Sequence, residues 1–252
     1  MLNVLFALIG LVAGIVINAL ADALPQRRRP TPPACPKCGH RYGPAGWLGI
    51  GRRLWGGGQC PQCGLPTRRR VLLVEVGAAL LFAALPSLIA APLDLVVNAF
   101  YTAVLLLIIV IDLEHRLILD VVTFPITLLA VGLTFVVSDN TWQSALLGAA
   151  VGYGFFFLIY WVAQLIYGAG SVAFGMGDVK LAMLMGAMLG FHRVLFAFIL
   201  GIVLGGVVSL LIIVASPANR RLHLPYGQYL ATAGIAMLIW GTELARWYAG
   251  SP

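Results

Sequence analysis

Apolar runs long enough to cross a bilayer recur along the whole chain, and they decide what it can fold into. A span needs roughly 20 apolar residues. The candidate segments are 2–22, 72–91, 94–111, 119–137, 143–167, 179–191, 194–215 and 226–248, the sixth being the shortest. This pattern predicts an all-α polytopic membrane protein with about eight transmembrane helices. Composition agrees: 61% of the 252 residues are hydrophobic and only 10% are charged, where soluble domains carry about a quarter charged residues. Such a chain takes the lipid bilayer as its solvent.

The net charge of +7 does not mark a nucleic-acid-binding face, because the basic residues stand in short clusters between apolar runs: Arg27–Arg29, Arg52 and Arg53, Arg68–Arg70, Arg220 and Arg221. Clusters of this kind fix topology, since cytoplasmic loops are enriched in Lys and Arg. No basic residue precedes the first apolar run and three arginines follow it, which predicts a retained first helix with its amino terminus outside. Alternating the spans from there puts 23–71, 112–118, 168–178 and 216–225 in the cytoplasm. Of sixteen Lys and Arg residues, only Arg193 and Arg246 then fall outside, leaving fourteen on the cytoplasmic side when Lys180 is counted there.

One long stretch breaks the hydrophobicity. Residues 25–71 are rich in Gly, Pro, Arg and Cys and too long for an ordinary connection. They hold all four cysteines, as Cys35-Pro36-Lys37-Cys38-Gly39 and Cys60-Pro61-Gln62-Cys63-Gly64. Two CxxC pairs about twenty residues apart fit a tetrahedral four-thiolate zinc site. Two disulfides are the alternative, disfavoured because the charge pattern places this insert in the reducing cytoplasm. So small an insert lacks the apolar side chains for a core of its own, and a structural Zn2+ supplies the missing stability. His40, beside the first knuckle, would be a fifth ligand and reads as a solvated loop residue. The expected division is a first helix over 1–24, a cytoplasmic zinc-ribbon-like domain over 25–71, and a transmembrane domain over 72–252.

The nine acidic residues carry the remaining chemistry. Asp94, Asp139 and Glu243 read as solvated helix-end residues. Asp112 closes the third span and Asp178 opens the sixth, both at the cytoplasmic edge, where ionisable groups in a membrane chain point to function. Two carboxyls at one depth can share a proton and activate a water for peptide hydrolysis, because like charges resist joint ionisation. The glycines at 175 and 177 suit close backbone approach by an extended substrate. Two other readings stand beside this one. Each Asp alone suits a helix terminus facing water, and a proton-coupled transporter would use the same carboxylates, although it would want them at midplane. A third class, a membrane scaffold carrying a zinc ribbon, has no use for a glycine-flanked Asp.

The motifs resemble a known family. Gly175-Met176-Gly177-Asp178 is similar to the GxGD motif of intramembrane aspartyl proteases, and its continuation Val179-Lys180-Leu181 to the prepilin peptidase form. The segment DLEHRLILDVVTFP from Asp112 to Pro125 resembles that family's first aspartate segment. Gly14, Asn18 and Leu24-Pro25, the paired knuckles, Arg70 with Glu75, and Leu224-Pro225-Tyr226-Gly227 follow in family order, so the resemblance covers nearly the whole chain.

It implies an aspartyl endopeptidase of the bacterial inner membrane that removes the leader from type IV prepilins or pseudopilins. Asp112 and Asp178 would be the catalytic pair, with Gly175, Gly177, Lys180 and Asp120 in support. On helical spacing His115 and Arg116 would bias the charge of Asp112 if the helix continues, and Lys180 would point away from Asp178. The resemblance further implies methylation of the new amino terminus from S-adenosylmethionine. Three positions depart from the family pattern: Leu119 stands for Pro, Ile15 for Ser and Ala23 for Arg.

Overall fold

A computed structural model describes residues 1–55, 57–168, 175–215 and 226–249. Phe174, Arg220, Arg221, Leu224 and Pro225 lie outside the described residues, as do the side chains of Glu243 and Arg246. The helices run α1 (Leu2–Ala23), α2 (Gly49–Trp55), α3 (Arg69–Leu88), α4 (Pro92–His115), α5 (Asp120–Leu133), α6 (Trp142–Tyr167), α7 (Met176–Leu189), α8 (Phe191–Ala215) and α9 (Gly227–Ala249). Each apolar segment of the sequence therefore has a helix. Among the described residues, five stretches are long and apolar enough to span a membrane: Leu2–Gln26, Arg69–Leu88, Pro92–His115, Trp142–Ile166 and Phe191–Ile212.

Burial sorts these helices. In α4, 72% of the most apolar stretch is buried, whereas the other four spans stay mostly exposed on faces suited to lipid. Polar side chains on α4 close on their own backbone, as when Asn98 donates to the Asp94 carbonyl and Thr102 to the Asn98 carbonyl. Such internal pairing is what an apolar interior demands. Helix α7 is short because it lies inside the bundle: Val179, Leu181, Ala182, Leu184, Met185 and Leu189 on all sides of it are buried. It has no need of bilayer length.

Small residues set the helix pairs. A Cβ on Gly10 would stand 2.6 Å from the Ala78 carbonyl oxygen, and one on Gly14 2.8 Å from the Glu75 Cα, so α1 lies backbone-to-backbone on α3. Asn3 at the far end donates to Ser87 Oγ at 2.6 Å and ties the same pair. Between α6 and α7, a Cβ on Gly148 would stand 2.5 Å from the Gly186 carbonyl oxygen, and Gly152 meets Ala182 in the same way. Without a hydrophobic force between helices in lipid, close van der Waals approach over small residues supplies the association.

The end of the bundle away from the insert is also polar, against the expectation for its acids. Asp94 is 6% exposed and accepts from the Ser138 amide at 2.8 Å and from its hydroxyl. Asp139 pairs with the buried Arg193 guanidinium at 2.7 Å, and Arg193 also donates to the Leu189 carbonyl. These are internal ties between the α3–α4, α5–α6 and α7–α8 turns, not solvated helix ends. Arg193 is thus a structural cation.

Backbone contact between α6 and α7 predicts an uneven response to added methyl groups. Gly186→Ala should cost about 1–3 kcal/mol through overpacking. Gly77→Ala, where a Cβ meets nothing within 4 Å, should be neutral or gain up to about 1 kcal/mol. Thermal unfolding of the two variants in detergent checks the order.

Candidate active site

Asp112 and Asp178 converge at one end of the bundle although they sit on helices that scarcely touch. Asp112, 5% exposed, ends α4, where its Oδ2 accepts the Gln228 amide at 2.9 Å from the first turn of α9. Asp178, 8% exposed, lies in the first turn of α7, where its Oδ2 accepts the Gly175 amide at 3.1 Å. Each carboxylate thereby satisfies an N–H that a helix start leaves without a partner. Ile118, in the α4–α5 connection, joins the two positions. A Cβ on Gly177 would stand 3.0 Å from Ile118 Cβ, and one on Gly227 would stand 3.0 Å from both Ile118 Cδ1 and Asp112 Oδ2.

The glycines divide in role. Gly177 and Gly227 are held small by Ile118 and Asp112, whereas a Cβ on Gly175 would make only ordinary contact, at 3.8 Å. Gly175 serves through its amide. The close approach expected for a substrate is thus taken up at Gly177 by the chain itself.

Asp120 and Lys180 pair with each other at 2.6 Å, joining the first turns of α5 and α7. Lys180 also lies 5.6 Å from the centre of the Phe124 ring. As helical spacing implied, it turns from Asp178, but it meets a carboxylate instead of standing alone. The helix does not continue past Asp112 for long: it ends at His115, and Arg116 adopts a left-handed conformation with φ 53°. Arg70 draws three helices together here, with Asp22 at 3.0 Å and Glu114 at 2.5 Å.

The insert places its four sulfurs together, all within 4.8 Å of one another. The two knuckles repeat one geometry. Cys35 N–H donates to the His40 carbonyl at 2.8 Å and Cys60 N–H to the Leu65 carbonyl at 2.9 Å, while Gly39 and Gly64 turn each loop with φ of 72° and 69°. Only glycine adopts such a conformation freely. Sulfurs of Cys35 and Cys63 lie 3.5 Å apart and those of Cys38 and Cys60 3.6 Å, too far for disulfides near 2.05 Å. Zn–S bonds of about 2.3 Å in a tetrahedron put sulfurs about 3.8 Å apart, so the donor set fits zinc.

The amide of Cys38 holds the Cys35 thiol down at about 6. At Cys38 the His40 amide also favours the thiolate, but desolvation and the neighbouring sulfurs outweigh it and push the thiol up to about 12. Four crowded thiols cannot all ionise unaided, and a divalent cation removes the conflict. His40 stacks edge-on to Tyr42 and takes no part in the sulfur cluster.

The insert is anchored by Glu75, which the sequence marks only as a motif partner of Arg70. Glu75, fully buried in α3, accepts the Gly49 amide at 2.8 Å and the Ile50 amide at 3.1 Å, the first N–H groups of α2. A carboxylate in the middle of an apolar run was the available signal.

Two family descriptions match the chain: the type IV leader peptidase family over residues 99–210, and the bacterial peptidase A24 N-terminal domain over 8–88. A prepilin leader peptidase/N-methyltransferase of Aeromonas hydrophila is 32% identical over 216 residues, 85% of this chain and 73% of the relative. The protein of the same name from Pseudomonas aeruginosa is 29% identical over 215 residues, with the same coverage of both chains, and that from Dichelobacter nodosus is 32% identical over 225 residues, 86% and 74%. No solved structure gives a significant match.

Elemental analysis of the purified protein should find one zinc per chain, and Cys60→Ser should lower it to background. The same variant should raise protease sensitivity over residues 35–64 while leaving the helical signal of the bundle in place. Protein with full zinc in the absence of Cys60 would place the metal elsewhere.

Proposed function

The chain belongs to the type IV leader peptidase family, and on that premise we propose that Asp112 and Asp178 are the catalytic pair of an aspartyl endopeptidase acting on type IV prepilins or pseudopilins. The observation that carries this reading is the approach of two nearly buried aspartates to one another at the end of an apolar bundle, where Ile118 packs against Gly177, the neighbour of Asp178, and against Gly227, which Asp112 also meets. Each keeps one oxygen on a backbone amide, from Gln228 and from Gly175, so their orientation is fixed before any substrate arrives. One carboxylate takes the proton of an attacking water while the other donates a proton to the scissile peptide, so the active pair holds one proton between them.

The site faces the cytoplasm in this proposal. The arginines at 27–29, 52–53 and 68–70 support that side, because Arg70 pairs with Glu114, two residues beyond Asp112, and so brings this basic segment to the aspartates' end of the bundle. A prepilin whose leader is basic and whose following helix is apolar would present the junction between them at this depth, the helix remaining in lipid. The Asp120–Lys180 pair holds α5 against the start of α7 and so fixes the height of Asp178. The zinc knuckles act as a structural cap, secured by Glu75. Following its relatives' names, the protein also methylates the new amino terminus, with S-adenosylmethionine supplying the methyl group. The transporter alternative gains nothing from the structure, where Asp112 lies in the last turn of α4 and Asp178 in the first turn of α7.

Asp112→Asn and Asp178→Asn should each slow leader cleavage by about 10²–10⁴-fold, with zinc content and thermal midpoint retained. Single-turnover cleavage of one prepilin in detergent reads this. A bell-shaped pH profile should accompany the wild type, and a rate climbing steadily with pH would point to a different nucleophile. Robust cleavage by either variant removes that residue from the pair.

A further inference from the structure

A cavity of about 1260 Å³ lies at the end of the bundle away from the insert, between the α3–α4 turn, the α5–α6 turn and the start of α8. Asp94 and Asn98, one turn apart on α4, both line it and are 6% and 3% exposed. Ser138 holds the Asp94 carboxylate with an N–H and an O–H, which orient it without supplying a positive charge. Among the described residues no cation pairs with Asp94. Asn98 spends its Nδ2 on the Asp94 carbonyl, and its Oδ1 accepts no hydrogen bond. That oxygen is not sealed in protein: among the described residues, the sealed side-chain atoms without partners belong to Asn18, Arg52 and Arg70. It opens on the cavity instead. Asn140, also on the wall, gives its Nδ2 to the Ala187 and Met188 carbonyls and leaves its Oδ1 in the same state.

We propose that this cavity binds an ethanolamine phospholipid, with its primary ammonium on Asp94 and Asn98 and its apolar chain along α8. An ammonium brings N–H donors and a positive charge to a carboxylate and to amide oxygens that lack both. Charge decides against an anionic headgroup, because Asp94 and Asp139 outnumber Arg193 on the wall. A choline headgroup carries the charge but has no N–H for Asn98. The phosphate has its own place on the α8 side. Arg193 spends three of its five N–H groups on Leu189 and Asp139, which leaves two, and His192 beside it is exposed.

The rest of the wall is apolar and reaches lipid. Leu238 and Ile239 of α9 line the cavity as buried side chains, whereas Leu88 on α3 and Leu195 and Ile199 on α8 line it and are exposed. The mouth thus lies on surface suited to lipid, and an occupant enters sideways from the bilayer. A metal ion or a free amine would use the oxygens and leave these side chains bare. The volume exceeds the 300–1,000 Å³ or so of small-molecule sites, which gives room for a headgroup and the start of a chain. A lipid held here clasps the turns that Arg193 and Asp139 already join.

The test takes the full-length protein in detergent and adds lipids that share their acyl chains and differ in headgroup. Native mass spectrometry reads retention, and thermal unfolding reads the midpoint. Phosphatidylethanolamine should be retained about tenfold or more over phosphatidylcholine and phosphatidylglycerol, and should raise the midpoint most. Asn98→Leu should remove the preference for ethanolamine while helical content and leader cleavage are retained. A phosphatidylethanolamine with a photoactivatable acyl chain, applied to the wild type, needs no variant to fold and should label peptides within residues 88–98 and 189–199. Equal retention of the three lipids, a preference undiminished in Asn98→Leu, or labelling confined to other segments overturns the site. Free ethanolamine or calcium raising the midpoint as much without lipid overturns the lipid as occupant.

Discussion

Among the described residues four carboxylates are buried in this apolar bundle, and each is held by a backbone N–H from a turn or helix start. Glu75 takes the first amides of α2, Asp94 the amide before α6, Asp112 an amide in the first turn of α9, and Asp178 the amide that begins α7. In a medium without water, an unpaired carboxylate and an unpaired amide are both expensive. Each pairing removes the two costs at once. It also fixes where one helix begins relative to another, because the acceptor comes from a different segment in three of the four cases. The same chemistry therefore sets the register of the bundle and the pose of the two aspartates proposed for catalysis.

Those pairings need the backbones to come close, and glycine provides the room. On α1, Gly10 and Gly14 let α3 approach until Glu75 sits under the insert. On α6, Gly148 and Gly152 let α7 sink into the interior, which is why so short a helix can be stable there. Had α7 crossed the membrane alone, its first turn would not stand level with the end of α4. The depth of Asp178 is a consequence of this packing.

Much of the site was legible in the sequence because it rests on local patterns. Apolar runs gave the helices, the doubled CPxCG gave a sulfur cluster, and the glycine-flanked Asp178 with the span-closing Asp112 marked one end of the bundle. What the sequence hid were partnerships across long separations. Arg193 with Asp139, Lys180 with Asp120, and Ser138 with Asp94 join residues 54, 60 and 44 positions apart. A charged residue near a helix end looks the same whether it faces water or a partner. Counting Arg193 as a topology marker and Asp94 as solvated followed from that ambiguity. The small residues of α1 and α6 were equally quiet, since glycine is common in membrane helices whether or not another helix lies against it.

The placement of the aspartates at the bundle end, instead of at midplane, suits what peptide hydrolysis by the proposed pair requires. Water must reach the pair, and a substrate strand must leave its own helix so that its carbonyl can be attacked. Both are costly in hydrocarbon, where an unwound backbone loses its hydrogen bonds. At the edge, water satisfies the freed groups on one side while lipid still holds the substrate's apolar helix on the other. A basic leader can stay in solution throughout, so no charge need cross the low-dielectric interior. In the proposed mechanism the buried ends of α4 and α7 supply two carboxyls dry enough to share a proton, yet close to the water at the bundle end. The insert is fastened at that end by Glu75 and joined through Arg70 to the end of α4. The position of the insert in the chain, between the first two apolar helices, is what brings it over this end.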